Sequence, residues 1–377
     1  MNDTDVLIVG AGPTGLTLAA SLLRDGTKVV LVDRQAEGAN TSRAGAVNAR
    51  TLEVLEGLDV SRHMVKEGIH APHFTIRDGK RQLIQIDFSG LDSTYPYTLM
   101  LPQNDTERLL LDRVHELGGE VTRPKVLASV VQDAEGVTAT FTDGDTVRAR
   151  YVVGADGMHS TVREQAGIGF HGDSYGQSFV LADAHMTGQL PIEEVVLFWA
   201  KEGLTVVAPL PSGAYRIVAP VDEAPEKPSV ALVQQILDDR GIGQMKVSDV
   251  VWGSRFRVHH RVADAYRAGR ILLAGDAAHV HSPAGGQGMN LGIQDAVALA
   301  DALATVLAGG ADSALDEYAD ARRPIAKQVV SLTDRLTRLA TLPAALRPIR
   351  NAVIGVAGRF PAVQRALAWR LSGLVYR

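Results

Sequence analysis

The sequence predicts an α/β fold: a Rossmann-like nucleotide-binding unit, interrupted by a mainly antiparallel β-sheet and closed by C-terminal helices. Three observations lead to it. A short apolar run, DVLIV at residues 5–9, is followed at once by the glycine-rich GAGPTG of residues 10–15. Two further glycine-aspartate turns come far downstream, GADGMHSTVR at residues 154–163 and GDAAHVHSPAGGQGMN at residues 275–290. Between them, residues 177–221 hold short β-type runs separated by tight turns.

The first stretch follows from local physics. Residues 5–9 read as a buried parallel strand. Gly10 permits the tight turn, Gly12 lets the backbone approach a pyrophosphate, and Gly15 lets the next helix pack on the strand. That helix opens near Pro13 and Thr14, so its unsatisfied N–H groups and positive dipole end face the phosphates. A second strand over residues 27–32 ends at Asp33, with Arg34 next. Asp33 lies 23 residues beyond Gly10, the spacing at which an acid accepts hydrogen bonds from an adenosine ribose. A glycine-rich turn without a ligand would not require strand, triplet, helix and terminal acid in this order. One triplet implies some dinucleotide; a glycine-aspartate turn more than 250 residues later calls for a ligand longer than NAD. Together the three stretches read as a cradle for one extended FAD.

Further along, residues 51–55 and 107–117 have helical spacing. Residues 137–141 and 147–153 look like strands joined through Asp143, Gly144 and Asp145. Residues 195–200, 204–210 and 214–221 are the runs of the interrupting sheet, divided by EG and PSG. With residues 71–96 they make a second domain inserted twice into the first. The expected division is residues 1–70, 98–176 and 262–377 for an FAD-binding domain, including C-terminal helices over 324–377, and residues 71–97 and 177–261 for a substrate domain. Internal repeats and low-complexity tracts are absent from the sequence.

Composition narrows the chemistry. At 377 residues with 46% hydrophobic content the chain can bury a large core. It has no cysteine, which excludes disulfides, thiolate zinc sites and thiol redox chemistry, so redox work falls to a noncovalent cofactor. The net charge of −5 argues against nucleic acid as a partner. No apolar run reads as long enough to span a bilayer, and the N-terminus carries Asp3 and Asp5 where a secretory signal would be basic, so a cytoplasmic protein without stable membrane insertion is expected. His73, His185, His259 and His260 lack metal-ligand spacing, and no metal site is expected. After Asp334 come eight arginines and no acid, which leaves −13 on residues 1–334. This basic tail is helix-prone, with Pro343, Pro348 and Pro361 marking breaks. It is expected as a structural cover on the FAD-binding domain, in preference to an interfacial helix touching anionic lipid.

Around Asp156, Gly157, Ser160 and Arg163 the sequence resembles a known family. VVGADGMHSTVRE is similar to the aspartate-glycine motif of the single-component FAD-dependent aromatic hydroxylases, the class typified by p-hydroxybenzoate hydroxylase. RILLAGDAAHVHSPAGGQGMNLGIQDAVALADAL is similar to that family's second flavin motif along its whole length. SRAGAVNARTLEVLE and LPQNDTERLL resemble it in Arg43, Arg50, Gln103 and Glu107. The match spans nearly the entire chain and implies a short form without the thioredoxin-like domain that follows in some relatives.

The resemblance implies roles. Gly275 opens the second flavin motif, and Asp276 would accept hydrogen bonds from the ribityl hydroxyls. Gly285, Gly286 and Gly288 would let the backbone approach the isoalloxazine, and the helix opening near Met289 and Asn290 would aim its N–H groups at the pyrimidine edge. Arg43 and Gln103 match residues that contact the flavin's linker and pyrophosphate. Asp156 matches an acid associated with flavin and nicotinamide, with a structural turn role left open, and Arg163 is open between an ion pair and a ligand contact. His279 is expected to cap or brace its turn. His281 and Pro283 lie where the loop should reach the flavin's reactive face. Phe198, Trp199 and Tyr215 are candidate pocket residues, each equally readable as core, and no catalytic base is named.

The implied activity is that of an FAD monooxygenase. NADH or NADPH would reduce the flavin transiently, O2 would add to give a flavin hydroperoxide, and one oxygen atom would pass to a small, hydrophobic aromatic substrate, phenolic or polycyclic. Epoxidation, Baeyer–Villiger oxygenation and a non-enzymatic flavin-binding redox module stand as alternatives. A halogenase is disfavoured because Trp199, Trp252 and Trp369 are isolated from one another.

Overall fold

The computed structural model describes residues 2–38, 44–200, 203–240, 242–282, 285–340 and 342–377. Its helices are α1 (Pro13–Arg24), α2 (Ala49–Leu55), α3 (Ser61–Glu67), α4 (Gln103–Glu116), α5 (Thr161–Gln165), α6 (Val230–Asp239), α7 (Gly288–Leu307), α8 (Ser313–Ala340), α9 (Arg347–Ala357) and α10 (Pro361–Leu371).

The strand Asn2–Val9 is the centre of the first sheet, paired in parallel with Val29–Val32 on one side and Thr146–Gly154 on the other. Ile271–Leu273 and Val121–Thr122 extend the parallel set outward, and Leu127–Gln132 with Val137–Phe141 add an antiparallel flap. Val6, Leu7 and Ile8 are all fully buried, as a parallel strand covered on both faces must be. One face is covered by α1, which packs against both α4 and α7. Each fully buried aliphatic side chain here contributes about 1.5–3 kcal/mol of transfer free energy.

Helix α7 is long and apolar enough to cross a bilayer, which corrects the expectation that no run would be; 61% of its most apolar stretch is buried inside the protein, so it serves as a core helix. Helix α8 runs through Pro324 without ending there.

The second sheet runs His279–Val280, Met245–Ala263, Phe170–Gly188, Tyr215–Val221, Leu204–Pro209, Glu194–Trp199, His73–Asp78, Arg81–Asp87. It is antiparallel except where Glu194–Trp199 pairs in parallel with His73–Asp78. Two 19-residue strands, Phe170–Gly188 and Met245–Ala263, form a long ribbon that leads from the first sheet into the second. Helix α6, capped by the Ser229 side chain accepting from the Leu232 N–H, covers one face with Val233 and Leu237. A small sheet of Ala46–Val47, Thr98–Met100 and Ile69–Ala71 faces the other.

The tail was expected on the FAD-binding domain, and its apolar face instead meets the outer hairpin of the second sheet. Leu339, Ile354, Leu367 and Leu371 pack with Leu83, Ile84 and Trp199. Its ends return to the FAD-binding side: Thr337 meets Ser282, the Leu371 carbonyl accepts from Gln287, Arg50 N–H donates to the Ser372 carbonyl and Arg377 pairs with Glu53. Helix α9, with Pro348 in its first turn, and α10, which opens at Pro361, both lie against the strand Arg81–Asp87 of that hairpin.

Candidate active site

Val9 is in register with Val32 and Gly154, and Gly154 with Leu273. Four parallel strands therefore end at one level, and the residues that follow them, Gly10, Asp33, Asp156 and Gly275, open from a single edge. This is where an open α/β sheet places its ligand.

The three glycines of the first motif have separate tasks. Gly10 has φ +106°, and a Cβ on it would lie 2.2 Å from the Ala155 carbonyl oxygen. A Cβ on Gly15 would stand 1.9 Å from the Gly10 carbonyl oxygen, which locks helix to turn. Gly12 fronts open space, with no atom within 4 Å of its Cβ position. It is the N-cap of α1 and offers no side-chain cap, so the first-turn N–H groups face that space. Asp33 Oδ2 accepts the Ala11 N–H at 2.7 Å and Oδ1 accepts the Gln35 N–H at 2.8 Å, which fixes the carboxylate beside the turn. Arg34 follows, exposed, in a bend.

The third motif interlocks with the first through Thr14. A Cβ on Gly275 (φ +61°) would come within 2.5 Å of Thr14 Oγ1, and one on Gly292 within 2.4 Å. Asp276 is exposed next to this contact. Gly285 and Gly286 both have positive φ, and the Gly286 Cβ position lies 3.3 Å from Ala46 Cβ. The N-cap of α7, Gln287, spends its amide on the Gly285 and Leu371 carbonyls instead of capping the helix. Gly288, Met289 and Asn290 thus lead a second helix without a side-chain cap. The Asn290 side chain braces the loop: Oδ1 accepts from the Asn48 N–H, and Nδ2 donates to the Ala46 and Gly286 carbonyls. Met289 packs, half-buried, against the main core.

Other expected site residues are engaged by the protein. Asp156 accepts from Ser160 Oγ at 2.5 Å and from the Val162 N–H, tying down the start of α5, the turn role left open in the sequence. Burial pushes its carboxyl up, opposed by those hydrogen bonds. Gln103 accepts the Ala44 N–H and donates to Glu107, whose carboxyl burial raises. Arg163 is engaged within the protein: its guanidinium donates to the Ala277 and Met158 carbonyls and lies 3.9 Å from the Phe170 ring centre. Arg43 and Pro283 lie outside the described residues.

His279 does brace its turn. Buried, it meets Asp295 Oδ2 at 2.6 Å, while Arg322 Nε donates to Asp295 Oδ1 at 2.6 Å. Burial would raise the Asp295 carboxyl, but Arg322 and His279 hold it below the usual carboxylate range. Sequence reading missed this network because its members are 16 and 27 residues apart along separate elements. His281 is held with Nδ1 2.9 Å from the Ser282 carbonyl, and burial pushes its imidazole down to about 4.

The candidate pocket residues do not share one face of the sheet. Phe198 and Tyr215 pack in the cluster beneath α6, and Trp199 packs with the tail under the Arg350 guanidinium. Strand alternation puts the neighbours of Phe198 on the opposite face. There Val195 and Ala208, with half-buried Phe74, Leu197 and Val206, gather around Met100 and Ala46, the residue that abuts Gly286. Arg216, which the family resemblance places with Tyr215 on a structural strand, grips Asp183 with Nε and Nη2 at 2.8 and 2.7 Å and donates to the Ala44 carbonyl at 2.6 Å.

Comparison with known proteins agrees with this geometry. The sequence pattern of the FAD binding domain family matches residues 3–333. An uncharacterized aromatic compound monooxygenase, YhjG of Bacillus subtilis, is 37% identical over 392 residues, covering 99% of this chain and 76% of that protein. The solved structure of OxyS anhydrotetracycline hydroxylase from Streptomyces rimosus superposes with a TM-score of 0.83 at 37% identity, over 99% of this chain and 76% of that one. p-Nitrophenol 4-monooxygenase PnpA from Pseudomonas putida superposes with a TM-score of 0.85 at 28% identity, over 98% of each.

Proposed function

The chain belongs to the FAD binding domain family as an FAD-dependent aromatic monooxygenase, and from that premise we propose how its own residues hold the cofactor and meet the substrate. Bound FAD supplies the redox chemistry: acceptance of hydride from NAD(P)H and activation of O2 for insertion of one oxygen atom into an aromatic ring. The open space before Gly12, at the uncapped start of α1, carries the assignment.

The Thr14 and Gly15 N–H groups bind the pyrophosphate, and Pro13, with no N–H to leave idle, starts the helix. Asp33 accepts a ribose hydroxyl through lone pairs its backbone partners leave, and Arg34 lies next to the adenosine. Asp276 accepts the ribityl hydroxyls. The Gly288, Met289 and Asn290 N–H groups stabilise negative charge on the pyrimidine edge. Gln103 holds Ala44, and contact of Arg43 with the phosphates and of Pro283 with the flavin belongs to the same proposal. Asp156 acts on the cofactor only through the turn it ties down.

The substrate is a small hydrophobic phenol or fused-ring aromatic. Phe74, Leu197 and Val206 form its apolar wall, which keeps water from the reacting ring, and the Arg216–Asp183 pair fixes the strand behind them. We assign residues 1–70, 98–176 and 262–377 to the FAD-binding domain and 71–97 and 177–261 to the substrate domain, with the long ribbon crossing between the two and the tail of the first laid across the outer hairpin of the second. The enzyme works in the cytoplasm, where NAD(P)H is supplied.

The test is reconstitution with FAD, followed by NAD(P)H consumption with p-nitrophenol and with fused-ring phenols, and product mass. Ring-stimulated consumption and a product one oxygen atom heavier are expected. A protein that takes up neither FAD nor FMN overturns the cofactor assignment. Flavin binding without ring-stimulated consumption overturns the substrate assignment.

A further inference from the structure

Helix α9 is apolar on two sides. Its inner face seats Ile354 against Leu83, Ile84 and Trp199, next to Arg350, which donates to the Leu339, Ala340 and Trp199 carbonyls, and Asn351, which donates to Asp78. Its outer face is apolar. Leu346, Ile349, Val353, Val356 and Phe360, spaced by three or four residues along the helix and its two ends, are 47–62% exposed. A helix on a water-facing surface turns polar residues outward, and an apolar stripe of this kind marks an interaction site.

The charge around the stripe selects the occupant. Arg347 and Arg359 fall within the stripe's own stretch of chain, exposed Arg365 follows five residues after Phe360, and Arg81 lies beside Gly355, 3.6 Å from its Cβ position. Residues 335–377 contain no acid, and Asp78, at the neighbouring turn, is engaged by Asn351. A second copy of the chain would bring the same arginines face to face, and like charges across an interface oppose association. An anionic surface meets both requirements, since it accepts apolar side chains between headgroups and attracts the arginines around them. We propose that the outer face of α9 docks the protein peripherally on an anionic lipid bilayer, without a spanning segment. Docking of this kind places the enzyme where hydrophobic aromatic compounds partition.

The experiment is flotation of the full-length, FAD-loaded protein with vesicles of phosphatidylcholine, alone or mixed equally with phosphatidylglycerol. Binding to the mixed vesicles is expected at low salt, lost near about 0.5 M salt, where the Debye length falls below about 5 Å. Arg359→Gln and Arg365→Gln should each lower the bound-to-free ratio about fivefold. The double variant Val353→Asp, Val356→Asp should abolish binding while its turnover stays at the wild-type rate. Phe360→Trp should show a blue-shifted emission on mixed vesicles only, and decides the matter if the aspartate variant fails to fold. Absent binding, equal binding to both vesicle types, or unchanged binding by the aspartate variant overturns the proposal. So does a dimer that Val353→Asp dissociates, or an acidic protein that takes the stripe in place of lipid.

Discussion

Arg163 Nη1 donates to the Ala277 carbonyl at 2.9 Å, joining two segments 114 residues apart in the chain. With the Met158 carbonyl and the Phe170 ring it makes one buried cation hold the second glycine turn against the third. Arg163→Met should cost about 2–4 kcal/mol, because two carbonyls lose a charged donor in a buried place. Thermal unfolding with and without FAD checks it. Arg163→Lys should recover only part, since one ammonium cannot reproduce the fork. A methionine variant with unchanged unfolding would refute the bracing role.

The glycine triplet allows a cleaner separation of folding from binding. Gly10→Ala places a methyl against the Ala155 carbonyl at positive φ and should fold poorly or not at all. Gly12→Ala meets no protein atom and sits in extended backbone, so its stability without FAD should stay within about 1 kcal/mol of wild type. Its FAD dissociation constant should nevertheless rise at least about tenfold, because the methyl enters the space assigned to pyrophosphate. Equal FAD affinity in wild type and Gly12→Ala, by fluorescence titration, would remove the cofactor from that space.

Asp276 and Asp156 should fail in different ways. Asp276→Ala, at an exposed position, should weaken FAD by about 1–3 kcal/mol with little change in apo stability. Asp156→Ala frees the Ser160 hydroxyl and the Val162 N–H and should lower apo stability first. Flavin retention after gel filtration, compared with unfolding of the apo proteins, distinguishes them. Equal retention in both would reverse the assigned roles.

His281 sets a pH dependence. Its folded-state value lies near 4 against an ordinary 6.5, so below 6.5 the unfolded chain takes up a proton that the native ring resists. This contribution is fully present above pH 6.5 and is lost as pH falls toward about 4, by up to about 3 kcal/mol. Denaturant unfolding of His281→Phe should show a flatter stability profile across that window. An unchanged slope would mean that the ring is not held neutral.

Removing residues 342–377 should uncover Leu83, Ile84 and Trp199, which the tail buries. Aggregation or a large fall in unfolding temperature is expected, even where FAD is supplied. A soluble truncated protein of normal stability would contradict the covering role.

The strand, glycine turn, helix and acid of the first motif are legible because each is set by neighbours within a few residues. The convergence of the three motifs depends on the register of Val9, Gly154 and Leu273, which no local pattern encodes. Alternation in residues 194–199 was readable, but the face presented to the site depends on where α6 docks, and so Phe198 and Tyr215 fell beneath the helix. The tail's apolar face was visible in sequence. Its target was not, because both sheets offer apolar surface and the choice rests on long-range packing against Leu83 and Ile84 of the outer hairpin.

The ladder of the second sheet begins at His279–Val280, inside the third motif, and ends on the outer hairpin Arg81–Asp87. Anchorage and variation are thereby segregated along one sheet. Near the motif, the ladder pairs Arg261 and Val262 with Val280 and His279 of the glycine loop. At the far end, the hairpin of His73–Asp78 and Arg81–Asp87 is separated from that loop by five intervening strands. On the proposed substrate assignment, Phe74, Leu197 or Val206 can be exchanged to suit a new ring shape while the glycine turns stay untouched. Preference for one aromatic compound over another should diverge quickly among descendants of such a scaffold, at a stage when their redox half-reactions are still interchangeable.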